Sequence, residues 1–275
     1  MTGTDAVSAI FVPYGQGRAR GLDQDELGNH GADIDRLVAL GLPVVPGLTV
    51  PVTHAASLGE IEVARVAVDL LQQLVGRHIG DLTHPVLIRL LASTRVAGSA
   101  GALVDIPGLG ITANTVAALD ELVGSDGAIY DVFAAVIRYV GEHGGGIPGD
   151  DFADAEYTAS TLPERVKAYL ELSSAEGFPF PDEPAEQLAR AALAMRRRWV
   201  SPRARRLRRG QGLPEDLPLA FHVQAVRVGP LEASGHGVAQ SRDPVTGAFA
   251  ATGTFRRGVR RRLLRHAPVV PGAPA

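Results

Sequence analysis

The stretch from Phe221 to Phe255 restricts what this chain can fold into more than any other, because it combines a strand pattern with turn residues. Apolar and polar residues alternate from Phe221 to Val228, which is the period of a strand with one buried face. Further on, the segment from Asp243 to Gly247 reads DPVTG, in which Pro fixes φ and Gly permits a positive φ. The sequence therefore predicts a strand followed by a hairpin-like unit.

Between the strand and the turn, Ser234 to Gly237 read SGHG and predict a loop of small residues. Such a loop lets backbone N–H groups approach an anion closely, and phosphate is the usual anion. A tight turn without a ligand explains the same four residues, because short glycine motifs often match by accident. Spacing alone leaves both interpretations open.

Composition excludes several classes of protein. The chain has 275 residues, enough for one large domain or two modest ones, and no Cys, which excludes disulfides, a thiolate nucleophile and Cys-based metal sites. Its one lysine, Lys167, follows Val166 rather than Gly, so the chain has no P-loop. Neither a long apolar run nor a basic, apolar leader occurs. We therefore expect a cytoplasmic protein that does not contact a membrane.

Positive charge is concentrated after Met195, where 16 Arg stand against four acidic residues, a balance of +12; before that point the balance is −15. A basic anion-binding lobe on an acidic body would give this asymmetry, and so would a solvated charged face. The Arg-rich runs 203–209 and 256–265 lack the interleaved aromatic residues of single-strand nucleic-acid platforms. A nucleic-acid partner is therefore not expected.

Helical periodicity marks the regions before the strand. The segment from Asn29 to Leu40 carries its apolar residues on one face and precedes Gly41, which suits the left-handed residue after a helix. Ser57 and Glu60 have the spacing of a capping box ahead of a second amphipathic helix. From Asn114 to about Trp199 nearly all the sequence has helical periodicity, so helices dominate the middle of the chain.

Several phrases of the sequence resemble the nucleotide-binding region of the pyruvate, phosphate dikinase family. The family's glycine loop and the turn after it are similar to VQAVRVG followed by SGHGVAQSRDPVTG in this chain. The family's opening segment is similar to LGNHGADIDRLVALGLPVVPG. FPFPDEPAEQL and RRWVSPRARRLRR resemble two further family phrases, so the resemblance runs from about Leu27 to about Phe255. It implies an α+β, ATP-grasp-like fold with a helical insert, similar also to phosphoenolpyruvate synthases.

The resemblance implies four parts in chain order. Residues 1–113 are expected to form a first ATP-grasp-like lobe, 114–199 the helical insert, and 200–267 a strand-rich nucleotide-binding segment. Residues 268–275 are rich in Pro and have no periodicity, so we expect a disordered tail there.

His30 occupies the place of a family lysine that contacts ATP phosphates. Because His is shorter and mostly neutral at pH 7, the resemblance implies a weaker and pH-dependent contact, although His30 as a mere helix cap remains open. Leu91 replaces a family arginine that binds ATP, which leaves Arg89 or Arg95 as substitutes. We predict Arg95, because it lies in a loop that can reorient, whereas Arg89 shares the strand face of Leu91.

The resemblance implies further nucleotide contacts near the end of the chain. They are Gln224, Ser234, Gly235, His236, Gly237 and Arg242. ATP is the implied ligand, and Mg²⁺ would arrive with the nucleotide, because the eight His show no metal-ligand spacing. The residues identify neither a catalytic group nor a metal ligand.

Two departures from the family pattern concern catalysis. Thr254 stands where the family has Glu, and an Arg-rich segment follows in place of acidic metal ligands. Phosphoryl transfer depends on metal and cationic groups around the developing charge, so we expect a phosphotransferase-like ATP-binding region with weak or no catalysis on its own. The alternative is a non-catalytic binding or regulatory protein, completed by a partner chain that carries the family's phosphohistidine and pyruvate domains.

Overall fold

A five-stranded sheet forms the centre of the computed structural model, which describes residues 7–96, 105–124, 126–228 and 235–257. The strand order is β1-β2-β5-β3-β4, and every neighbouring pair is antiparallel. The strands are β1 Val12–Pro13, β2 Gly47–Val50, β3 Val86–Ser93, β4 Ile106–Leu109 and β5 Ala220–Arg227. Because β5 pairs with both β2 and β3, a late segment of the chain lies at the middle of the sheet.

Helices surround the sheet, so the predicted α+β character is confirmed. Their bounds are α1 Gln24–Ala39, α2 Ile61–Val75, α3 Val116–Val123, α4 Ala128–Val140, α5 Gly149–Thr158, α6 Leu162–Ala175, α7 Pro184–Trp199 and α8 Pro202–Gly210. Shorter helical turns are Arg18–Arg20, Val52–His54, Ser57–Gly59 and the π-turn Gly141–Gly145. In the part of the chain described here, none of the helices has the length and apolar character needed to span a bilayer.

One face of the sheet is apolar and forms the main core. Phe221, Val223 and Ala225 of β5 lie on this face, which packs against α2 and α7. Fully burying a large apolar side chain such as that of Phe221 or Val223 contributes about 1.5–3 kcal/mol, so this face holds the layers together. Other buried members of this core include Leu48, Val50, Leu71, Ile88, Leu90, Leu188 and Met195.

The opposite face of the sheet carries polar residues. Thr49, Arg89, His222 and Gln224 share it through the registers of β2, β3 and β5. Helix α1 lies over this face, and β5 is buried at every residue from 220 to 225. The prediction of a strand with one buried face is therefore wrong, because α1 shields the polar face from water as well.

The helical insert forms a second apolar core. Helices α3 to α6 pack around Phe133, Phe152 and Tyr169, and the last two rings meet edge to face at 5.0 Å. Leu87 and Val226, which pair in register between β3 and β5, belong to the same cluster. The insert therefore covers the polar face of the sheet at the end away from α1.

Helix α1 contains the helix predicted from Asn29, preceded by one extra turn. Asp23 caps that turn by accepting hydrogen bonds from two backbone N–H groups, and Gly28, whose φ and ψ are not helical, separates the turn from the helix that follows. The predicted capping box at Ser57 is wrong. Its hydroxyl donates to the carbonyl of His54, and α2 begins at Ile61 without a side-chain cap.

The predicted hairpin is confirmed, but the predicted glycine loop is not. Gly235–Gln240 form strand β6 and Thr252–Arg257 form β7, and the two pair antiparallel. Gly235, His236 and Gly237 therefore lie in a strand, while Ser234 falls outside the described residues, as does the predicted tail at 268–275. A Cβ at Gly237 would lie 2.7 Å from the carbonyl oxygen of Thr254, so close pairing of the strands already explains that glycine.

Gly28 allows α1 to approach the sheet, and replacing it tests that approach. Its φ of 68° and ψ of 167° suit glycine alone, and a Cβ there would lie 2.2 Å from Ser93 Oγ. We predict that Gly28→Ala lowers the free energy of unfolding by at least ~2 kcal/mol. The measurement is denaturant unfolding at equilibrium.

Gly41 provides the matched control. Its φ is 71°, but a Cβ there would meet no atom within 4 Å, so Gly41→Ala carries backbone strain without a collision. We expect that variant to lose about 1 kcal/mol. Equal losses in the two variants would show that contact between α1 and the sheet does not matter.

Candidate polar site beneath the first helix

Five polar side chains converge on the polar face of the sheet, and they are called the polar cluster below. Gln224 Nε2 lies 3.2 Å from His30 Nε2, and Arg89 Nε donates to Asp105 Oδ1 at 2.8 Å. A second Arg89 donor contacts the other oxygen of the same carboxylate. The cluster comprises Tyr14, His30, Arg89, Asp105 and Gln224.

Strand register places the polar cluster between the part of the sheet covered by α1 and the part covered by the helical insert. Arg89 lies directly opposite Gln224. On the same face, the next pair in one direction contains His222, beneath α1, and the next pair in the other contains Leu87, within the core of the insert. The Arg89 and Asp105 side chains keep 18% and 19% of their surface exposed, so neither is fully buried.

Helix α1 reaches the sheet closely because two of its residues have no side chain. A Cβ at Gly28 would lie 2.2 Å from Ser93 Oγ, and a Cβ at Gly31 would lie 3.1 Å from the His222 ring. His30 lies between these glycines and is half-buried. The two glycines therefore bring its imidazole into contact with β5.

His222 supports the cluster from below. Its Nε2 lies 2.8 Å from Ser93 Oγ and its Nδ1 lies 3.2 Å from Thr49 Oγ1, while its ring meets that of His30 edge to face at 4.7 Å. Burial, and to a smaller extent the neighbouring His30, hold the pKa of His222 well below 6.5. His222 is therefore a neutral, fixed hydrogen-bonding group.

His30 is also neutral in this arrangement. The Gln224 amide nitrogen has only hydrogens to offer, so His30 Nε2 accepts and the ring proton resides on Nδ1. Burial lowers the pKa of His30 and Arg89 lowers it further, while Asp33 and Asp105 oppose the shift. His30 thus presents a hydrogen-bond donor rather than a permanent positive charge.

Tyr14 contributes a second neutral donor. Its ring is partly exposed, but its hydroxyl oxygen is buried and makes no hydrogen bond of ordinary geometry to the described residues. Burial raises the pKa of Tyr14, and nearby Gln224 and Arg89 oppose that rise only in part. The hydroxyl keeps its proton at neutral pH and lies near the Gln224 amide, with which it makes no hydrogen bond of ordinary geometry.

Arg95, the predicted arginine, lies apart from the polar cluster. Its guanidinium is exposed and lies 3.9 Å from Asp25 at the start of α1, and its carbonyl accepts a hydrogen bond from Gln24 at 2.5 Å. Arg89 instead occupies the cluster, on the strand face that the sequence assigned to Leu91. Of the predicted contact residues, the structure joins His30 and Gln224 directly.

The other predicted contacts belong to the β6–β7 hairpin. Arg242 stacks on Phe249 at 4.0 Å and donates to the carbonyl of Gly247. The hydrogen bonds and ring contacts described for residues 237–255 all lie within the hairpin. The hairpin residues therefore have no described contact with the polar cluster.

Sequence reasoning missed three residues of this site, namely Tyr14, Asp105 and His222. Each lies far along the chain from its neighbours, and only strand pairing brings them together. The alternation of β5 did place His222 and Gln224 on one face. Two polar residues on the same face of a central strand were therefore the signal in the sequence that could have revealed the site.

A metal site is not evident in this region. Among the described residues, no group of three or more His, Cys, Asp or Glu side chains is placed to hold a metal ion. Asp105, the carboxylate of the polar cluster, is engaged by Arg89. The described residues therefore do not fit a Mg²⁺ site.

Acid is predicted to destabilise the fold through His222. Its pKa is depressed in the folded state, so below about pH 6.5 the unfolded chain binds the proton more readily. The contribution of neutral His222 to the free energy of unfolding is therefore fully present above about pH 6.5 and decreases as the pH drops. The pKa values of His30 and His143 are also lowered by burial, and both add to the effect with the same sign.

Thermal melting between about pH 8 and about pH 5.5 measures this dependence. We expect His222→Asn to melt lower than the wild type at pH 8 but to lose less on acidification. His84→Asn, a change at an exposed residue, should keep the wild-type dependence. Identical pH profiles for the wild type and His222→Asn would contradict the assignment.

The sequence of this chain is similar to those of known proteins. No family model matches the chain. Curated relatives include the pyruvate, phosphate dikinase of Rhizobium meliloti (strain 1021), 30% identical over 269 residues and 88% of this chain, and the chloroplastic pyruvate, phosphate dikinase 1 of Zea mays, 30% identical over 275 residues. The pyruvate, phosphate dikinase of Clostridium symbiosum is 28% identical over 255 residues.

These matches cover much less of the relatives than of this chain. The chain spans 30% of the Rhizobium meliloti protein, 28% of the Zea mays protein and 29% of the Clostridium symbiosum protein. Over that shared length, this chain is related to a region of the pyruvate, phosphate dikinases.

Proposed function

We propose that this chain is a nucleotide-binding region of the pyruvate, phosphate dikinase type, which binds ATP with its phosphates at the polar cluster. The observation that carries the proposal is the contact between His30 and Gln224 at 3.2 Å. The family resemblance implies both residues as nucleotide contacts, from positions 194 apart in the chain. Their meeting beneath α1 is what a shared ligand site requires.

The chemistry of the cluster suits phosphate oxygens, which only accept hydrogen bonds when ionised. His30 offers Nδ1–H, Gln224 offers its second amide hydrogen, and Tyr14 offers a hydroxyl that makes no hydrogen bond of ordinary geometry to the described residues. Neutral donors fixed by packing bind an anion without the desolvation penalty that a buried charge carries.

The fold proposed for this function is ATP-grasp-like. Residues 1–113 and 200–267 would supply the two nucleotide-binding parts, and 114–199 the helical insert. The helical segment between β4 and β5 and the hairpin after β5 are arranged in the order that this proposal needs. Within it, the β6–β7 hairpin, with Gly235, Gly237 and Arg242, would close on the nucleotide from the other side.

Catalysis by this chain alone is proposed to be weak or absent. Thr254 pairs with Val238 in the hairpin and offers a hydroxyl where the resemblance implies a carboxylate. Phosphotransfer of the kind that the relatives carry out would require regions of those proteins that this chain does not match. These regions include the phosphohistidine and pyruvate domains, which we expect on a separate polypeptide. A purely binding or regulatory role is the second candidate, favoured by the neutral His30 and by the Arg89–Asp105 pair.

Titration calorimetry with Mg·ATP tests binding. We predict that the wild type binds and that His30→Ala weakens binding by about tenfold, because the variant loses one donor to a charged ligand and one contact to Gln224. His84→Ala should bind like the wild type, because His84 is exposed and lies outside the polar cluster, two residues before β3. Undetectable heat with wild type, or unchanged affinity in His30→Ala, would contradict the proposed site.

The affinity should also rise as the pH falls toward 6, because an anion beside His30 raises the pKa that burial lowers and so promotes proton uptake. His30→Gln, which keeps a neutral donor, should bind with little dependence on pH. The measurement is the same titration at several pH values.

Turnover provides a separate test of the catalytic proposal. We predict little or no formation of AMP or ADP when the chain is incubated with Mg·ATP, with or without pyruvate and phosphate. Sustained turnover in proportion to protein concentration, abolished in His30→Ala, would show that the chain is a self-sufficient kinase.

A further inference from the structure

The Arg89–Asp105 pair is the strongest ionic contact within the polar cluster. Two guanidinium nitrogens meet the two carboxylate oxygens, and both side chains are about four-fifths buried, at 18% and 19% exposure. A fork-to-fork pair of this kind matches the geometry with which arginine holds phosphate. Arg89 Nη1 makes no hydrogen bond to the described residues, so the guanidinium is only partly used.

The surroundings of the pair contain more donors than acceptors. Among the described residues, the buried hydroxyl of Tyr14 makes no hydrogen bond of ordinary geometry, His30 carries its proton on Nδ1, and the Gln224 amide keeps a hydrogen beyond the one that meets His30. Asp105 is the one anionic member of the cluster. Unsatisfied buried donors destabilise a structure unless a ligand or water completes them, so the cluster is built to receive an acceptor-rich group.

We propose that Arg89 is the phosphate-binding arginine of this site and that Asp105 occupies its fork when no ligand is present. This inference rests on the proposed function for the nucleotide, while the phosphoryl group itself can come from a nucleotide or from free phosphate. The ligand and the Asp105 carboxylate compete for the same guanidinium. Asp105 therefore lowers the affinity of the site and prevents small anions from filling it.

A purely structural role for the pair makes different predictions. Arg89 lies on β3 and Asp105 immediately precedes β4, so the pair also ties these two strands together. If that were its whole purpose, removing either partner would weaken the fold and leave ligand binding alone. If the phosphoryl group of the ligand and the Asp105 carboxylate compete for Arg89, removing Asp105 strengthens ligand binding although it weakens the fold.

The experiment compares the full-length wild type with Arg89→Gln, Asp105→Asn and Arg95→Gln. Arg95→Gln is the matched control, because Arg95 follows the same strand but is 51% exposed and lies outside the cluster. Each protein is first shown to be folded by circular dichroism and thermal melting. Calorimetric titrations then use ATP, pyrophosphate, inorganic phosphate and adenosine, the last of which lacks a phosphoryl group.

The expected result is a loss of about tenfold or more in ATP affinity for Arg89→Gln and a gain of several-fold for Asp105→Asn, with Arg95→Gln unchanged. Adenosine affinity should be the same in all four proteins. Inorganic phosphate and pyrophosphate distinguish the two possible sources of the phosphoryl group. If Asp105→Asn binds either of them, the phosphoryl group alone suffices for binding. If it binds ATP alone, the nucleoside is also required.

Three results overturn the inference, and they separate it from the proposed function. If the wild type binds ATP but Arg89→Gln binds it equally well, the site is a nucleotide site in which Arg89 has no part. If Asp105→Asn loses affinity together with Arg89→Gln, the pair acts as a structural unit and competition is wrong. If neither the wild type nor Asp105→Asn binds any of the four compounds, both the inference and the proposed function fail.

Discussion

The close contact of helix α1 with the polar face of the sheet is the constraint on which the remaining structure depends. Gly28 and Gly31 permit it, because a side chain at either position would press against Ser93 or His222. Without this contact, the polar residues of β5 would face water, and His30 would not reach Gln224. The helix therefore seals one half of the polar face and leaves the polar cluster at the edge of the seal.

Burial of that face sets the electrostatics of the site. His222 and His30 are held neutral because desolvation disfavours their charged forms, and the charge of Arg89 is compensated by the paired Asp105 carboxylate. The site thus combines one compensated charge with several neutral donors. Such a site favours ligands that bring their own negative charge and can exchange places with the Asp105 carboxylate.

Much of this architecture could be predicted from the sequence, and the exceptions have physical causes. The amphipathic helices and the hairpin follow from periodicity and turn residues, which are local properties. The second buried face of β5 could not be predicted, because it depends on a helix some 200 residues earlier in the chain. The sequence predicts Arg95 rather than Arg89 for the same reason, since only the register with β5 shows that Arg89 lies opposite Gln224.

The central claim is that a phosphate-bearing nucleotide contacts His30 beneath α1. Long-range ¹H–¹⁵N NMR of the imidazole rings, with His30 and His222 assigned from spectra of His30→Gln and His222→Asn, tests it most directly. Addition of Mg·ATP should shift the His30 resonances most and those of the neighbouring His222 less, while those of exposed His54 and His84 stay in place. Saturating nucleotide that leaves the His30 resonances unmoved, or that moves only histidines outside the polar cluster, would contradict the account.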